Sequence, residues 1–171
     1  MKSTRRYGLA LFLIATFFVS SLAFAQADKD AEAARATTQK LFTVFKNKDW
    51  KTLFDIIQMS PKNSKDLTDK EAFARDFDKG LTEGDTNHDF DKLIGTMDNV
   101  AIGAAIIEGN NAYVSTTCTV TVEGHAVRFV GIAKLIKIDT NWRWDLSFTD
   151  DADKASETRF VQLLGEVAKE G

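Results

Sequence analysis

One cysteine, one proline and two histidines in 171 residues put several kinds of protein out of reach. Cys118 alone cannot close an internal disulfide, so the fold must be held by its core. It lies among β-forming residues, where a buried, inert thiol is expected. His88 and His125 are far apart in sequence, and a zinc site needs three or four converging ligands. Both are expected to be exposed, and neither a metal nor another cofactor is expected. Basic runs are missing too. The 22 Lys and Arg against 25 Asp and Glu leave a net charge of −3, which argues against nucleic acid and anionic membrane as partners.

What is present begins with a three-part N-terminus. Lys2, Arg5 and Arg6 precede an apolar run from Tyr7 to Leu22, and Ala23-Phe24-Ala25 supplies the small residues that a signal peptidase reads before Gln26. The run is short for a bilayer span and is soon followed by Asp28, Lys29 and Asp30. Residues 1–25 are therefore expected to be a cleaved secretory signal. Residues 26–171 are then a single α+β domain exported to the periplasm or beyond, with no membrane attachment after cleavage. No cysteine lies near the cleavage site to carry a lipid anchor. Gly8 stands where a twin-arginine signal around Arg5-Arg6 prefers an apolar side chain, which favours the general secretory route. Cleavage removes three of the positive charges and takes the net charge of −3 to −6. The remaining length is ordinary for one domain and suffices to bury about 68–70% of the unfolded surface.

The mature sequence starts helical. Ala34, Leu41, Phe42 and Phe45 recur at helical spacing between Ala31 and Lys46. Asn47-Lys48-Asp49-Trp50 breaks that pattern, and Asp49 is placed to cap a second helix carrying Leu53, Phe54, Ile56 and Ile57. Pro61 sits in a loop with Ser60, Asn63 and Ser64. Thr68 and Glu71 have the spacing of a capping box for a third helix, with Phe73 and Phe77 on one face and Gly80 or Gly84 at its end. Glu83 to Asp91 reads as a polar, acidic segment.

After Asn99 the period turns to alternation. Val100–Ile107, Ala112–Glu123, Ala126–Ile138 and Trp142–Thr149 read as four strands joined by short turns, which implies an antiparallel meander. Asp150 to Lys169 then reads as a closing helix with Phe160, Leu163, Leu164 and Val167 buried. Alternation assigns the faces. Val114, Cys118, Val120 and Val122 point one way from the second strand, and Tyr113, Ser115, Thr117, Thr119 and Thr121 point the other. In the third strand Val127, Phe129, Gly131, Ala133 and Leu135 point inward, and Arg128 and Lys134 mark the outer face. Trp142, Trp144, Leu146 and Phe148 share a face in the fourth, opposite Arg143, Asp145, Ser147 and Thr149. One side of the sheet is expected to pack on helices and the other to face water. Gly131 and Ala133 remove bulk from the inner face, either to let a helix approach closely or to leave a cavity.

Phe45-Lys46-Asn47-Lys48-Asp49-Trp50 between the first two helices, and the final hairpin Ile136-Lys137-Ile138-Asp139-Thr140-Asn141-Trp142-Arg143-Trp144, resemble the nuclear-transport-factor-2-like superfamily over about residues 31–149. The resemblance implies N-terminal helices packed on a curved four-stranded antiparallel meander, closing a cone beneath the first helix. The C-terminal helix is not part of that pattern. The superfamily includes ketosteroid-isomerase-like and polyketide-cyclase-like enzymes beside exported members without a known activity, so the fold alone does not choose between them. Its enzymes carry an acid or base inside the cone, usually Asp, His or Tyr. Here Asp145 and Tyr113 fall on the outer face by alternation, His125 in a turn and His88 in a loop, which disfavours an enzyme.

Other constellations point the same way. Asp85, Asn87, Asp89 and Asp91 have the spacing of the first ligands of a calcium loop. Phe90 and Thr96, however, replace the glycine and the bidentate glutamate that such a loop needs, so a solvated acidic loop is expected. Trp50, Trp142 and Trp144 fit a core or a pocket wall. The threonine-rich outer face fits either a water-facing strand or a homodimer surface. The expectation is an exported, non-enzymatic domain that binds a small apolar ligand or a protein partner. The ligand is expected against Phe45, Phe129, Gly131, Ala133 and Trp144. Alternatives are an isomerase-like or hydrolase-like enzyme using the cone, and an assembly protein acting through the outer face.

Overall fold

The computed structural model describes residues 28–58, 69–83, 88–146 and 154–170, in which five helices surround a five-stranded mixed sheet. The class is α+β. The first helix, α1, spans 28–47 and buries Ala34, Thr38, Leu41 and Val44, a stripe at three- and four-residue spacing. The Thr38 hydroxyl donates to the Ala34 carbonyl at 2.9 Å, so this buried polar group is satisfied within the helix. Lys48, at φ 53°, ends α1 in the left-handed conformation. Its N–H donates to Phe45 O and that of Asp49 to Val44 O, which is the Schellman arrangement.

Asp49 serves both sides of this junction. Its carboxylate accepts from the Thr52 N–H at 3.1 Å and starts α2, Trp50–Ile56. The Thr52 hydroxyl first, and this N–H second, hold the Asp49 carboxyl below the usual carboxylate range. A two-residue strand follows, β1 (Ile57–Gln58). Helix α3 spans Lys70–Glu83. Asp69 accepts from the Glu71 N–H at its start, and the expected cap Thr68 lies outside the described residues, as do Pro61 and its loop. The helix runs through Gly80 to Glu83, so Gly80 does not end it, and Gly84 is not among the described residues.

The acidic segment is corrected: its end forms helix α4, His88–Gly95. Four helices therefore precede the main sheet among the described residues, where three were expected. Asp85 and Asn87 lie outside the described residues. Phe45, Trp50, Phe73 and Phe77 tie α1, α2 and α3 together, with ring centroids 4.9 to 6.4 Å apart. Trp50 donates its indole N–H to Asp78 at 2.8 Å, so it is a satisfied core residue.

Strands β2 (Asp98–Glu108), β3 (Asn111–Val122), β4 (His125–Ile138) and β5 (Asn141–Asp145) are antiparallel neighbours. The sheet order is β1-β5-β4-β3-β2, and β1 pairs with β5 in parallel. The expected four-stranded antiparallel sheet is thus corrected to a five-stranded mixed one. A two-residue strand carries no alternation to detect, and in the sequence Ile57 reads as a continuation of the apolar stripe of α2, which ends at Ile56. The last strand ends at Asp145, before the expected Thr149, and residues 147–153 lie outside the described ones. Gly109 at φ 61° and Gly124 at φ 81° supply the tight turns on either side of β3. Two register shifts in β2, between Asp98 and Ala101 and between Ile102 and Ala105, bend that strand. Within the bend Gly103 lies so close to Ser115 that a Cβ there would overlap its hydroxyl.

The fifth helix, α5 (Lys154–Glu170), packs against β4. Arg159 binds Glu108 at 2.9 Å. Glu108, Tyr113, Lys134 and Asp145 share one face of the sheet by register, so α5 lies opposite α1. The expectation that this face is simply water-exposed is corrected. Tyr113, Lys134 and Asp145 are all buried there, and the Lys134 ammonium meets the Asp145 carboxylate at 3.0 Å. Ser115, Thr117 and Thr119 are half-buried and Thr121 is exposed.

Candidate apolar cavity

The inner face of the sheet meets α1 in two different ways. Along the N-terminal half of the helix, Ala34 joins Ala112, Val114, Ala133, Leu135 and Trp142 in one buried cluster. The small side chains at 34, 112 and 133 let the helix come close. Along the C-terminal half, a cavity of about 280 Å³ lies between Leu41, Phe42 and Phe45 and the sheet. Its floor is Cys118, Val120, Phe129 and Trp144, and its third wall is Leu93 and Ile94 of α4 with Met97 just beyond. Phe129 is 47% exposed, so the cavity reaches solvent past its ring.

The expected ligand residues divide accordingly. Phe45, Phe129 and Trp144 line the cavity, and Phe45 contacts Trp144 edge to face at 5.7 Å. Gly131 and Ala133 do not line it. Ala133 belongs to the closed cluster, and a Cβ on Gly131 would make only an ordinary contact with Thr116, 3.5 Å away. Of the three tryptophans, Trp144 alone reaches this cavity. Leu93, Ile94 and Met97 were missed. Their apolar character at one- and four-residue spacing was the available signal, and it was masked by the acidic stretch before them.

The chemistry of the wall is uniform. Nine of its ten side chains are hydrocarbon, aromatic or thioether, and the tenth is the Cys118 thiol. Burial pushes the Cys118 pKa above its usual value, so the thiol is held protonated and poorly nucleophilic. His125 shares the inner face by its pairing with Val122, but it is exposed on the hairpin tip and does not reach the cavity. Asp145 and Tyr113 are on the opposite face. Among the described residues no three His, Cys, Asp or Glu side chains converge to hold a metal ion. No described helix is long and apolar enough to cross a membrane. No family model, no curated protein and no solved structure matches this chain.

Proposed function

We propose that the protein is an exported, non-enzymatic binding domain that holds a small apolar molecule in the cavity beneath the C-terminal half of α1. The observation that carries this reading is the wall: ten side chains around about 280 Å³, without an ionisable acid or base apart from a suppressed thiol. Ligand pockets run from about 300 Å³ upward, so the space suits a compact hydrocarbon or single-ring molecule. Affinity comes from removing apolar ligand surface from water, about 25 cal/mol per Å² before the cost of association.

The Lys48-Asp49-Trp50 step between α1 and α2, and the antiparallel sheet ending in the Trp142–Trp144 strand, support placing the chain as a distant member of the nuclear-transport-factor-2-like superfamily. The composition of residues 1–25 supports export. The test is native mass spectrometry of the protein purified from its own source. An added mass that vanishes on denaturation, and is lost in a Phe129→Asp variant of unchanged stability, is the expected result. A clean protein mass that also fails to take up apolar probes overturns the reading.

A second reading rests on the hairpin beyond the cavity. Val122, Val127 and Phe129 are 38%, 38% and 47% exposed on the cavity face, an apolar strip that suits a protein partner. Co-purification of a stoichiometric protein in place of a small mass, lost on Val127→Asp, distinguishes it. Homodimerisation through Thr117, Thr119 and Thr121 is a further form of partner binding, checked by sedimentation of a Thr117→Arg variant.

A further inference from the structure

The apolar surface of the cavity continues past its mouth along the sheet. Cys118 pairs with Phe129, Val120 with Val127 and Val122 with His125, and alternation puts all six side chains on the inner face. Cys118, Val120 and Phe129 belong to the cavity wall. Val127 and Val122 lie beyond it, towards the hairpin turn at Gly124. Val122, Val127 and Phe129 are three of the five large apolar side chains that stand exposed among the described residues. Exposed apolar surface therefore gathers where the cavity opens. The column spans four residues, about 13 Å at the rise of a strand. Apart from the Cys118 thiol, its first polar side chain is His125, exposed at the hairpin tip. The Thr121 N–H donates to Thr96 Oγ1 at 3.0 Å, which ties the end of α4 to this part of β3.

Resting on the cavity as the binding site proposed above, we infer that its ligand is a single-chain amphiphile. The end of an unbranched alkyl or acyl chain fills the cavity, further methylenes lie along Val127 and Val122, and the polar head stays in water by the hairpin tip. Pockets for compact ligands carry a few polar groups that fix the ligand's orientation. The thiol aside, neither the cavity wall nor the column offers one before His125. The ligand's own polar group therefore belongs a column's length away from its buried end. A single ring sized to about 280 Å³ ends at the mouth and leaves the column wet. A straight chain covers both with one kind of surface. The net charge of −3 disfavours uptake from an anionic membrane surface, so the free amphiphile is the occupant.

The experiment is calorimetric titration of the protein with hexanol, octanol, decanol and dodecanol below their solubility limits. Their hydroxyl head is uncharged, and toluene serves as the single-ring control. Kd is expected to tighten about fourfold per methylene while the chain end fills the cavity, the equivalent of about 0.8 kcal/mol. Along the column, where one side of the chain stays wet, about twofold per methylene is expected. Val127→Asp, outside the cavity wall, should weaken dodecanol about tenfold and leave hexanol and toluene unchanged. Val122→Asn carries the same test should Val127→Asp fail to fold. Dodecanol that binds no tighter than octanol, or that is insensitive to both substitutions, overturns the chain assignment, while binding of hexanol and toluene still upholds the cavity. Failure of every probe to bind overturns both.

Discussion

The two surfaces of the sheet are closed to very different degrees. On the outer one Lys134 and Asp145 form an ion pair with each side chain 2% exposed, on the face against which α5 packs. On the inner one Phe129 and Trp144 border a cavity that reaches solvent. The polar face is sealed and part of the apolar face is open. Residue type determines what a surface costs to expose, but closure depends on whether a second element arrives and how near it comes. On the outer face α5 packs against β4, with Arg159 bound to Glu108. On the inner face α1 packs through Ala34 into a closed cluster, while at Leu41, Phe42 and Phe45 it leaves a cavity above the sheet.

The largest effect is expected where closure traps charge. Asp145→Ala removes the carboxylate 3.0 Å from the buried Lys134 ammonium, and loss of one member of such a pair typically costs about 3–5 kcal/mol. Urea unfolding of the variant measures this. Replacing both residues with Met and Leu removes the buried charge itself and is expected to recover most of that loss. A small effect of Asp145→Ala would mean that α5 does not seal this face in solution, and the contrast between the two surfaces would fail.

Next comes the tight half of the α1 contact. Ala133→Leu forces a larger side chain into the cluster with Ala34, Ala112 and Val114, where overpacking costs about 1–3 kcal/mol. The thermal midpoint should fall accordingly. The corresponding enlargement on the open half, Cys118→Leu, points into existing space and is expected to change stability by less than about 1 kcal/mol. It should nevertheless abolish uptake of an apolar probe. Equal destabilisation by the two substitutions would show that both halves are packed alike.

The thiol sharpens the same contrast through pH. Burial raises the Cys118 pKa, so below the ordinary thiol range folded and unfolded chains both keep the proton. As pH rises through that range the unfolded chain ionises first, and stability falls. Alkylation at pH 8 should therefore be slower than for free cysteine, and slower still with the cavity occupied. Alkylation as fast as the free amino acid, with or without an apolar ligand, would place the thiol outside the cavity.

These contrasts also explain what was legible in the sequence. Alternation identified which residues share a face, and β3, β4 and β5 follow it: Val114, Cys118 and Val120 oppose Ala133, Phe129 and Val127 in register. Capping chemistry identified the α1–α2 junction, since Asp49 needs only local partners. What covers each face was not legible. The Tyr113, Lys134 and Asp145 side chains are polar by type, and their burial depends on a helix that begins more than 30 residues after Tyr113. The small size of Ala133 left two readings open, close approach of a helix or a cavity, and in the structure Ala133 packs in the cluster with Ala34 while Phe45, Phe129 and Trp144 line the cavity.

Gly131 provides the smallest effect and the most direct separation of those two meanings of a small residue. It pairs with Thr116 between the closed cluster and the cavity, and a Cβ there would sit 3.5 Å from the Thr116 hydroxyl with nothing else within 4 Å. Gly131→Ala is therefore expected to alter stability by no more than about 0.5–1 kcal/mol, in the stabilising direction, because the unfolded chain loses backbone freedom while the strand conformation suits alanine. Ligand uptake should not change, since Gly131 contributes nothing to the cavity wall. A marked fall in stability would mean that α1 or a neighbouring strand comes nearer to Gly131 than the geometry allows. A loss of uptake at unchanged stability would extend the cavity to Gly131 and make its small size part of the site.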